Sequence, residues 1–190
     1  MVSIRRITDI KAPLIKLLKE AKLDFEERAN TLLCVRVNDE TYIIDNKDQT
    51  GPIMLSNLRG WIGGFDVKDH LILITMGYFH PKCYHYIIDE KMLSRVSLIG
   101  VGLRDFYDET AKVEAFGECE NIIYDLIYRI FDEKGIPIKE ATCKYCDDRV
   151  VAYCRVCGAL LSKSHFIHCP LCMVTLCHPD VSGCYYKHEC

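Results

Sequence analysis

Cysteine and histidine are concentrated in the last 48 residues of this 190-residue chain. Three Cys-x2-Cys pairs stand there, at positions 143/146, 154/157 and 169/172, and the chain closes in His188-x-Cys190. The tight turn of such a pair brings two thiolates to the spacing that one tetrahedral zinc ion requires. A single pair would also fit a redox dithiol. Three pairs interleaved with histidines indicate zinc.

The donors of this segment are numerous enough for more than one ion. It holds nine cysteines and four histidines, and each tetrahedral site takes four donors. Three sites would leave one donor over and two would leave five, so we expect two or three zinc ions, with three favoured. All the donors are protein side chains, which indicates structural rather than catalytic zinc. A segment this short is expected to need the metal in order to fold.

From Cys154 onward, the string Cys-x2-Cys-x11-Cys-x2-Cys-x4-Cys-x6-Cys-x3-His-x-Cys resembles the cross-braced zinc finger of stress-associated proteins. That finger has a histidine at the position of Asp180, so His178 or Cys184 must replace it here. The resemblance implies one ion bound by Cys154, Cys157, Cys177 and Cys184, and a second ion bound by Cys169, Cys172, His188 and Cys190.

The remaining donors have the spacing Cys-x2-Cys-x18-His-x2-His, which resembles the first half of a LIM domain and implies a third ion. A cross-brace of the B-box or RING type, built on the same pairs, is the rival partition. With His178 left out, the predicted zinc ligands are Cys143, Cys146, Cys154, Cys157, His165, His168, Cys169, Cys172, Cys177, Cys184, His188 and Cys190.

Composition and charge restrict the partners. The net charge is −3 and the pI is about 6.2, so no overall positive potential attracts DNA or RNA. The cysteine-rich segment is itself close to neutral, which favours a protein partner, although DNA remains an alternative. No apolar run approaches the roughly 20 residues of a membrane span, and the N-terminus lacks the apolar core of a signal peptide. We therefore expect a cytoplasmic protein without a membrane partner, whose oligomeric state the sequence leaves open.

Before the cysteines, the pattern predicts an α/β domain. An amphipathic helix within 1–23 precedes a hairpin built from 31–37 and 41–44. Helices at about 55–62 and 81–90 alternate with buried strands at 71–75 and 96–101, and this order makes the two strands parallel.

A second amphipathic helix is expected at about 118–133, followed by a linker at 136–142. The predicted domains are therefore an α/β domain at 1–116, the helix and linker at 117–142, and a zinc domain at 143–190.

The end of the hairpin suggests a further chemistry. The order of elements is one arrangement of the restriction-endonuclease-like core, in which a strand ends in an acid two residues before a lysine. Asp45 and Lys47 match that pattern. Thr75, Gly77 and Phe79 match the Thr-x-Gly-x-Phe of the Mrr-type restriction endonucleases, which residues 10–105 resemble. The resemblance implies a mixed sheet with flanking helices, and a phosphodiester-cleaving site in which Asp45 binds Mg²⁺ and Lys47 assists.

One departure from that family affects the expected activity. Its first acid should stand near Asn30 and Thr31, and neither is a carboxylate. Asp24, Glu26 and Glu27 are nearby, but we expect them in the preceding helix or loop. Because Mg²⁺ needs several oxygen ligands, the sequence favours an inactive nuclease-like domain.

Three other groups invite a chemical interpretation. His80, Cys83 and His85 could bind a metal, but residues two apart on a helix do not share a face, so we expect an ordinary surface helix. Cys34 lies in an apolar strand and is expected in the core, and Cys119 opens a helix without an evident use.

The sequence therefore favours a zinc-binding adaptor with a nuclease-like domain that binds protein or nucleic acid. The alternative is a Mg²⁺-dependent DNA endonuclease or resolvase-like enzyme whose zinc segment grips DNA. A RING-like ubiquitin ligase module is a third interpretation, and it rests on the cross-brace alone.

Overall fold

The computed structural model of the chain describes residues 10–29, 32–49, 51–65, 68–101, 113–117, 121–136 and 138–190. They form two compact units. The sheet unit consists of the described residues up to 83 and of those between 92 and 140, and the C-terminal unit consists of residues 84–91 and 141–190. Asn30, Thr31 and Cys119 lie outside the described residues.

The sheet unit is built on one mixed sheet. Its strands are β1 (Asp24–Ala29), β2 (Leu32–Val37), β3 (Glu40–Lys47), β5 (His70–Thr75), β7 (Val96–Gly100), β8 (Val113–Phe116) and β9 (Ile138–Glu140), with β4 (Pro52–Ile53) and β6 (Tyr78–Phe79) pairing separately. The order across the sheet is β1-β2-β3-β5-β7-β8-β9. The predicted hairpin is confirmed as the antiparallel pair β2–β3. The predicted parallel pair is also confirmed, since β3, β5 and β7 run parallel.

Four helices belong wholly or partly to this unit: α1 (Lys11–Glu20), α2 (Leu55–Ile62), α3 (Pro81–Asp89) and α4 (Ile122–Glu133). The helices expected near 55–62 and 81–90 are therefore confirmed. Asn121 caps the N-terminus of helix α4, because its side-chain oxygen accepts from the N–H groups of Ile123 and Tyr124. Gly135 follows the helix with a φ of +70°, the left-handed conformation that commonly ends a helix.

One face of the sheet holds the main apolar core. Helices α1 and α4 pack there, with Leu14 and Leu18 of α1 and Ile127 and Phe131 of α4 buried against the strands. The strand residues on this face alternate along the chain, as Tyr42 and Ile44 do on β3. The apolar stripe predicted for the long helix is therefore a packing surface.

Two stretches differ from expectation. Asp24, Glu26 and Glu27 lie on strand β1, antiparallel to β2, and not in a helix or loop. Apolar and polar residues alternate only weakly in the segment DFEERA, and its side chains are largely exposed because β1 lies at the edge of the sheet. The sequence pattern therefore did not indicate a strand. The expected linker at 136–142 contains β9, which pairs with β8.

The C-terminal unit contains short elements around a small apolar cluster. Strand β10 (Ala152–Tyr153) pairs with β11 (Leu160–Leu161), β12 (Phe166–His168) pairs with β13 (Thr175–Cys177), and α5 spans Cys184–Lys187. The buried residues of the cluster are Leu161 and Leu176 with four cysteines, Cys154, Cys169, Cys177 and Cys184. Among the described residues of the whole chain, no helix has the length and apolarity to cross a membrane.

Candidate metal centres

The first centre is a cluster of four thiols contributed by Cys154, Cys157, Cys177 and Cys184, here called the four-cysteine cluster. Their sulfur atoms lie within 4.8 Å of one another, and Cys157 Sγ is 3.6 Å from Cys177 Sγ. Two thiolates on one tetrahedral zinc ion are about 3.8 Å apart. Three of these side chains are buried, which excludes competing water. The cluster has the geometry of a closed zinc site.

The second centre, the C-terminal cluster, consists of Cys169, Cys172, His188 and Cys190. Cys172 Sγ lies 3.0 Å from His188 Nε2, and Cys190 Sγ lies 3.2 Å from Cys169 Sγ. Backbone N–H groups of Cys172 and Leu171 donate to Cys169 and lower the pKa of that thiol to about 6. Zinc binds cysteine as the thiolate, so these backbone donors favour the form of Cys169 that binds the metal.

The two clusters interleave along the chain. The four-cysteine cluster takes donors from before and after the 169/172 pair, whereas the C-terminal cluster takes that pair with His188 and Cys190. Each set of donors is the one that the resemblance to the cross-braced finger implies. Cys184, not His178, completes the four-cysteine cluster, and His178 Nδ1 instead lies 3.3 Å from the Asp180 carboxylate.

Comparisons of the chain with protein-family models, with curated proteins and with solved structures find no match. What the chain can bind is therefore inferred from its own geometry.

The third centre has three cysteine or histidine donors, Cys143, Cys146 and His165, and is called the His165 cluster. His165 Nδ1 lies 3.5 Å from Cys143 Sγ and 3.3 Å from Cys146 Sγ. His168, the predicted fourth donor, is exposed on β12, and its Nδ1 lies 3.3 Å from the Thr175 hydroxyl. In place of His168, the hydroxyl of Ser162 lies beside the donors, which the sequence did not suggest because serine is not a usual zinc ligand.

The structure also brings Asp45 and Lys47 together. Both side chains project from the same face of β3, because residues two apart on a strand do so. Lys47 Nζ lies 2.6 Å from Asp45 Oδ2 and 5.5 Å from the ring centroid of Trp61 on α2. Asp45 is only 3% exposed, and its Oδ1 has no hydrogen-bond partner among the described residues.

The acids on β1 do not join this pair. Glu27 is paired in the sheet with Leu33, and its carboxylate binds Lys11 Nζ at 2.9 Å. The Glu26 carboxylate lies 3.4 Å from Arg28 Nε. No group of three or more metal-binding side chains includes Asp45 within the part of the chain that the structure describes.

The Thr-x-Gly-x-Phe segment has a structural role. Thr75 Oγ1 donates to the carbonyl oxygen of Gln49 at 2.9 Å, and the Gly77 N–H donates to the same oxygen at 2.9 Å. The Tyr78 N–H reaches the Gly51 carbonyl at 3.1 Å. These bonds hold the connection after β3 against the end of β5, and Phe79 is buried.

The surface helix expected around His80–His85 is wrong for two residues. Cys83 is fully buried, and its thiol donates to the carbonyl oxygen of Ile53 at 3.3 Å. His85 stacks on Tyr153 with ring centroids 3.9 Å apart, and its Nε2 lies 2.8 Å from the Gly158 carbonyl oxygen. Both side chains therefore have packing roles. Helical periodicity could not identify these roles, since Cys83 is buried beside Ile53 whereas His85 is half-buried against Tyr153.

Proposed function

We propose that this chain is an intracellular zinc-binding interaction protein, in which structural zinc fixes the surface of the C-terminal unit for a partner protein. The observation that carries the proposal is the interleaving of two four-donor clusters. In each, all four positions of a tetrahedral ion would be filled by protein side chains, which is characteristic of structural zinc. The many clustered thiols also suit a reducing compartment.

An exposed apolar surface supports the interaction role. Leu171 is 81% exposed, Met173 is 67% exposed and Tyr186 is 77% exposed. Leu171 stands between two donors of the C-terminal cluster, and Tyr186 stands two residues before a third. Large apolar side chains held out in water by a metal-fixed backbone are typical of protein-binding surfaces.

The charge of the unit favours protein over nucleic acid. Residues 143–190 contain five lysines or arginines (Lys144, Arg149, Arg155, Lys163 and Lys187) and four acids (Asp147, Asp148, Asp180 and Glu189). A protein gains affinity for nucleic acid when its lysines and arginines neutralise phosphates and release the bound counterions. A nearly neutral segment offers few such side chains.

Native mass spectrometry of the full chain tests the zinc part of this proposal. We expect zinc in the protein as purified under reducing conditions. Cys177→Ser should lose the ion of the four-cysteine cluster, whereas the control Cys34→Ser changes a thiol outside all three clusters and should retain the wild-type count. A chain without zinc, or with disulfides among these cysteines, would contradict the proposal.

The partner surface needs its own test. Leu171→Ser combined with Tyr186→Ser should keep the zinc count and the fold while reducing recovery of partner proteins in crosslinking from cells. A matched control is Val151→Ser, which changes an apolar side chain that is 40% exposed outside the clusters. Partner recovery that is equal in both variants would contradict the assignment of this surface.

A second candidate function is Mg²⁺-dependent phosphodiester cleavage by the sheet unit. The specific observation in its favour is the unpartnered Oδ1 of the buried Asp45 beside Lys47, because an unsatisfied carboxylate oxygen is a plausible metal ligand. Against it stand the ion pairs of Glu26 and Glu27, which hold these carboxylates elsewhere. This candidate implies the restriction-endonuclease-like fold that the resemblance suggested.

A cleavage assay separates the two candidates. The full chain is incubated with double-stranded and branched DNA in Mg²⁺ or Mn²⁺. Cleavage by the wild type that is lost in both Asp45→Asn and Lys47→Met, with circular dichroism showing both variants still folded at the assay temperature, would establish the enzyme. With the interaction protein, we expect no cleavage in either metal.

A further inference from the structure

A fourth polar group, the hydroxyl of Ser162, lies beside the donors of the His165 cluster. Ser162 Oγ lies 3.2 Å from His165 Nδ1 and 3.3 Å from Cys146 Sγ. The hydroxyl is thus within hydrogen-bond reach of two of the three donors, and the Ser162 side chain is buried, at 1% exposure.

These distances match the edges of a tetrahedron around zinc. With Zn–N and Zn–O bonds of about 2.1 Å, an oxygen and a nitrogen on one ion are about 3.4 Å apart, and an oxygen and a sulfur are about 3.6 Å apart. The Ser162 hydroxyl therefore lies near the vertex that the other three donors leave open. Ser164 Oγ, 3.3 Å from Ser162 Oγ, can accept the hydroxyl proton when the oxygen lone pairs face the ion.

We propose that Ser162 Oγ is the fourth donor of the His165 cluster, in place of the predicted His168. This inference rests on the proposed zinc binding and assigns a ligand to one of its sites. His168 is held away, by Thr175 on the neighbouring strand. Asp148 is the competing donor, because the Cys143 N–H donates to its backbone carbonyl oxygen at 3.0 Å and so keeps this acid beside the cluster.

The donor set makes this the weakest of the three sites. The four-cysteine cluster supplies four thiolates to Zn²⁺, the C-terminal cluster supplies three, and the His165 cluster supplies two with a neutral hydroxyl. A hydroxyl is a poorer zinc donor than a thiolate or an imidazole, which are the ligands of ordinary structural sites. The His165 cluster should therefore release its ion first. Its zinc occupancy, and with it the folding of residues 143–165, should follow the concentration of free zinc.

Variants at three positions test the assignment in the full chain. Ser162→Cys supplies a thiolate and Ser162→Ala removes the donor, while His168→Ala is the matched control and Asp148→Asn tests the competitor. Zinc is counted by native mass spectrometry during titration with a chelator. Replacing zinc by Co²⁺ reports the number of thiolates through the sulfur-to-metal charge-transfer band.

The wild-type chain should hold three ions, one of which the chelator removes first. Ser162→Ala should lower the affinity for that ion at least about tenfold, and Ser162→Cys should raise it by at least as much. The Co²⁺ form of Ser162→Cys should gain the absorption of one additional thiolate. His168→Ala and Asp148→Asn should leave the third ion unchanged.

Three outcomes would overturn the assignment while leaving zinc binding intact. Loss of the third ion in His168→Ala or Asp148→Asn, with Ser162→Ala unaffected, would identify a different donor. A Ser162→Cys variant without added thiolate absorption would place the hydroxyl outside the coordination sphere. A wild-type chain with only two ions would remove the third site altogether, whereas a chain with none would refute the proposed function itself.

Discussion

The carbonyl oxygen of Gly51 occupies the space in which Gly77 would carry a side chain. A Cβ atom on Gly77 would lie 1.9 Å from that oxygen, far inside van der Waals contact. The two glycines meet where the Thr-x-Gly-x-Phe segment binds the connection after β3. Close backbone approach, and not chemistry, therefore requires glycine at this position of the motif.

Gly77→Ala should destabilise the sheet unit by about 2–4 kcal/mol, because a backbone atom cannot rotate out of the way as a side chain can. Urea unfolding measures the change. Gly60→Ala is the matched control, since its Cβ would meet nothing within 4 Å in the interior of α2. There alanine should stabilise by about 0.5–1 kcal/mol. Equal effects at both glycines would contradict this account.

The pairing of Asp45 with Lys47 gives a stability prediction that is independent of catalysis. Lys47→Met should cost about 3–5 kcal/mol, because it leaves a buried carboxylate without its partner. Asp45→Leu combined with Lys47→Met should recover most of that loss, since it removes the buried charge as well. Chemical denaturation of the three proteins makes the comparison. A double variant as unstable as Lys47→Met would show that the carboxylate has another stabilising partner.

The thiol of Cys83 should make the stability of the sheet unit fall in alkaline solution. Burial raises the pKa of this thiol from 9.0 to about 11. A group whose pKa is raised by folding contributes fully below its unfolded pKa and loses that contribution as pH rises to the folded pKa. Between pH 9 and 11, wild type should therefore lose up to about 2–3 kcal/mol more than Cys83→Ala. Parallel pH dependence in the two proteins would contradict the buried thiol.

The C-terminal unit contains a polar cluster centred on Asp89. Tyr153 donates to Asp89 Oδ2 at 2.8 Å, and Arg155 binds Asp89 Oδ1 at 2.9 Å and also contacts the Tyr153 hydroxyl. Burial, reinforced by Asp89, raises the pKa of Tyr153 to about 12. Asp89→Ala should cost about 1–3 kcal/mol, because it removes the acceptor of a charge-assisted hydrogen bond.

The control for this prediction is Arg155→Met, which keeps the aliphatic stem over the Tyr153 ring. The Arg155 side chain is 49% exposed, so its ion pair should contribute less than about 1 kcal/mol. Thermal unfolding of the zinc-loaded proteins distinguishes the two variants. A larger loss for Arg155→Met than for Asp89→Ala would reverse the assigned roles.

Metal removal should affect the two units differently. The C-terminal unit has few buried apolar side chains apart from its cysteines, whereas the sheet unit has an extensive core of its own. A strong chelator should abolish amide exchange protection in residues 143–190 and leave it in β3, β5 and β7. Readdition of zinc should restore it. Protection that persists in residues 143–190 after complete chelation would mean that zinc is not needed for their folding.

The sequence determined the elements whose signals are local. The parallel strands β5 and β7 are short, largely apolar runs, and α4 has a regular apolar stripe, so these elements could be found without a structure. The Cys-x2-Cys pairs could be found for the same reason, because a turn such as that between Cys169 and Cys172 involves only neighbouring residues. Strand β1 was not predicted, because an exposed edge strand needs no alternation of apolar and polar residues.

Only the tertiary structure decided which distant groups meet. It put the Ser162 hydroxyl beside His165, while the His168 ring lies beside the Thr175 hydroxyl. It also paired Glu27 with Lys11 and Glu26 with Arg28, so that neither carboxylate joins Asp45. Sequence spacing states how far apart two donors can be, but the direction of each side chain depends on strand register and packing. For that reason the types of donor and two of the three donor sets could be predicted from the chain, whereas the surroundings of His165 required the fold.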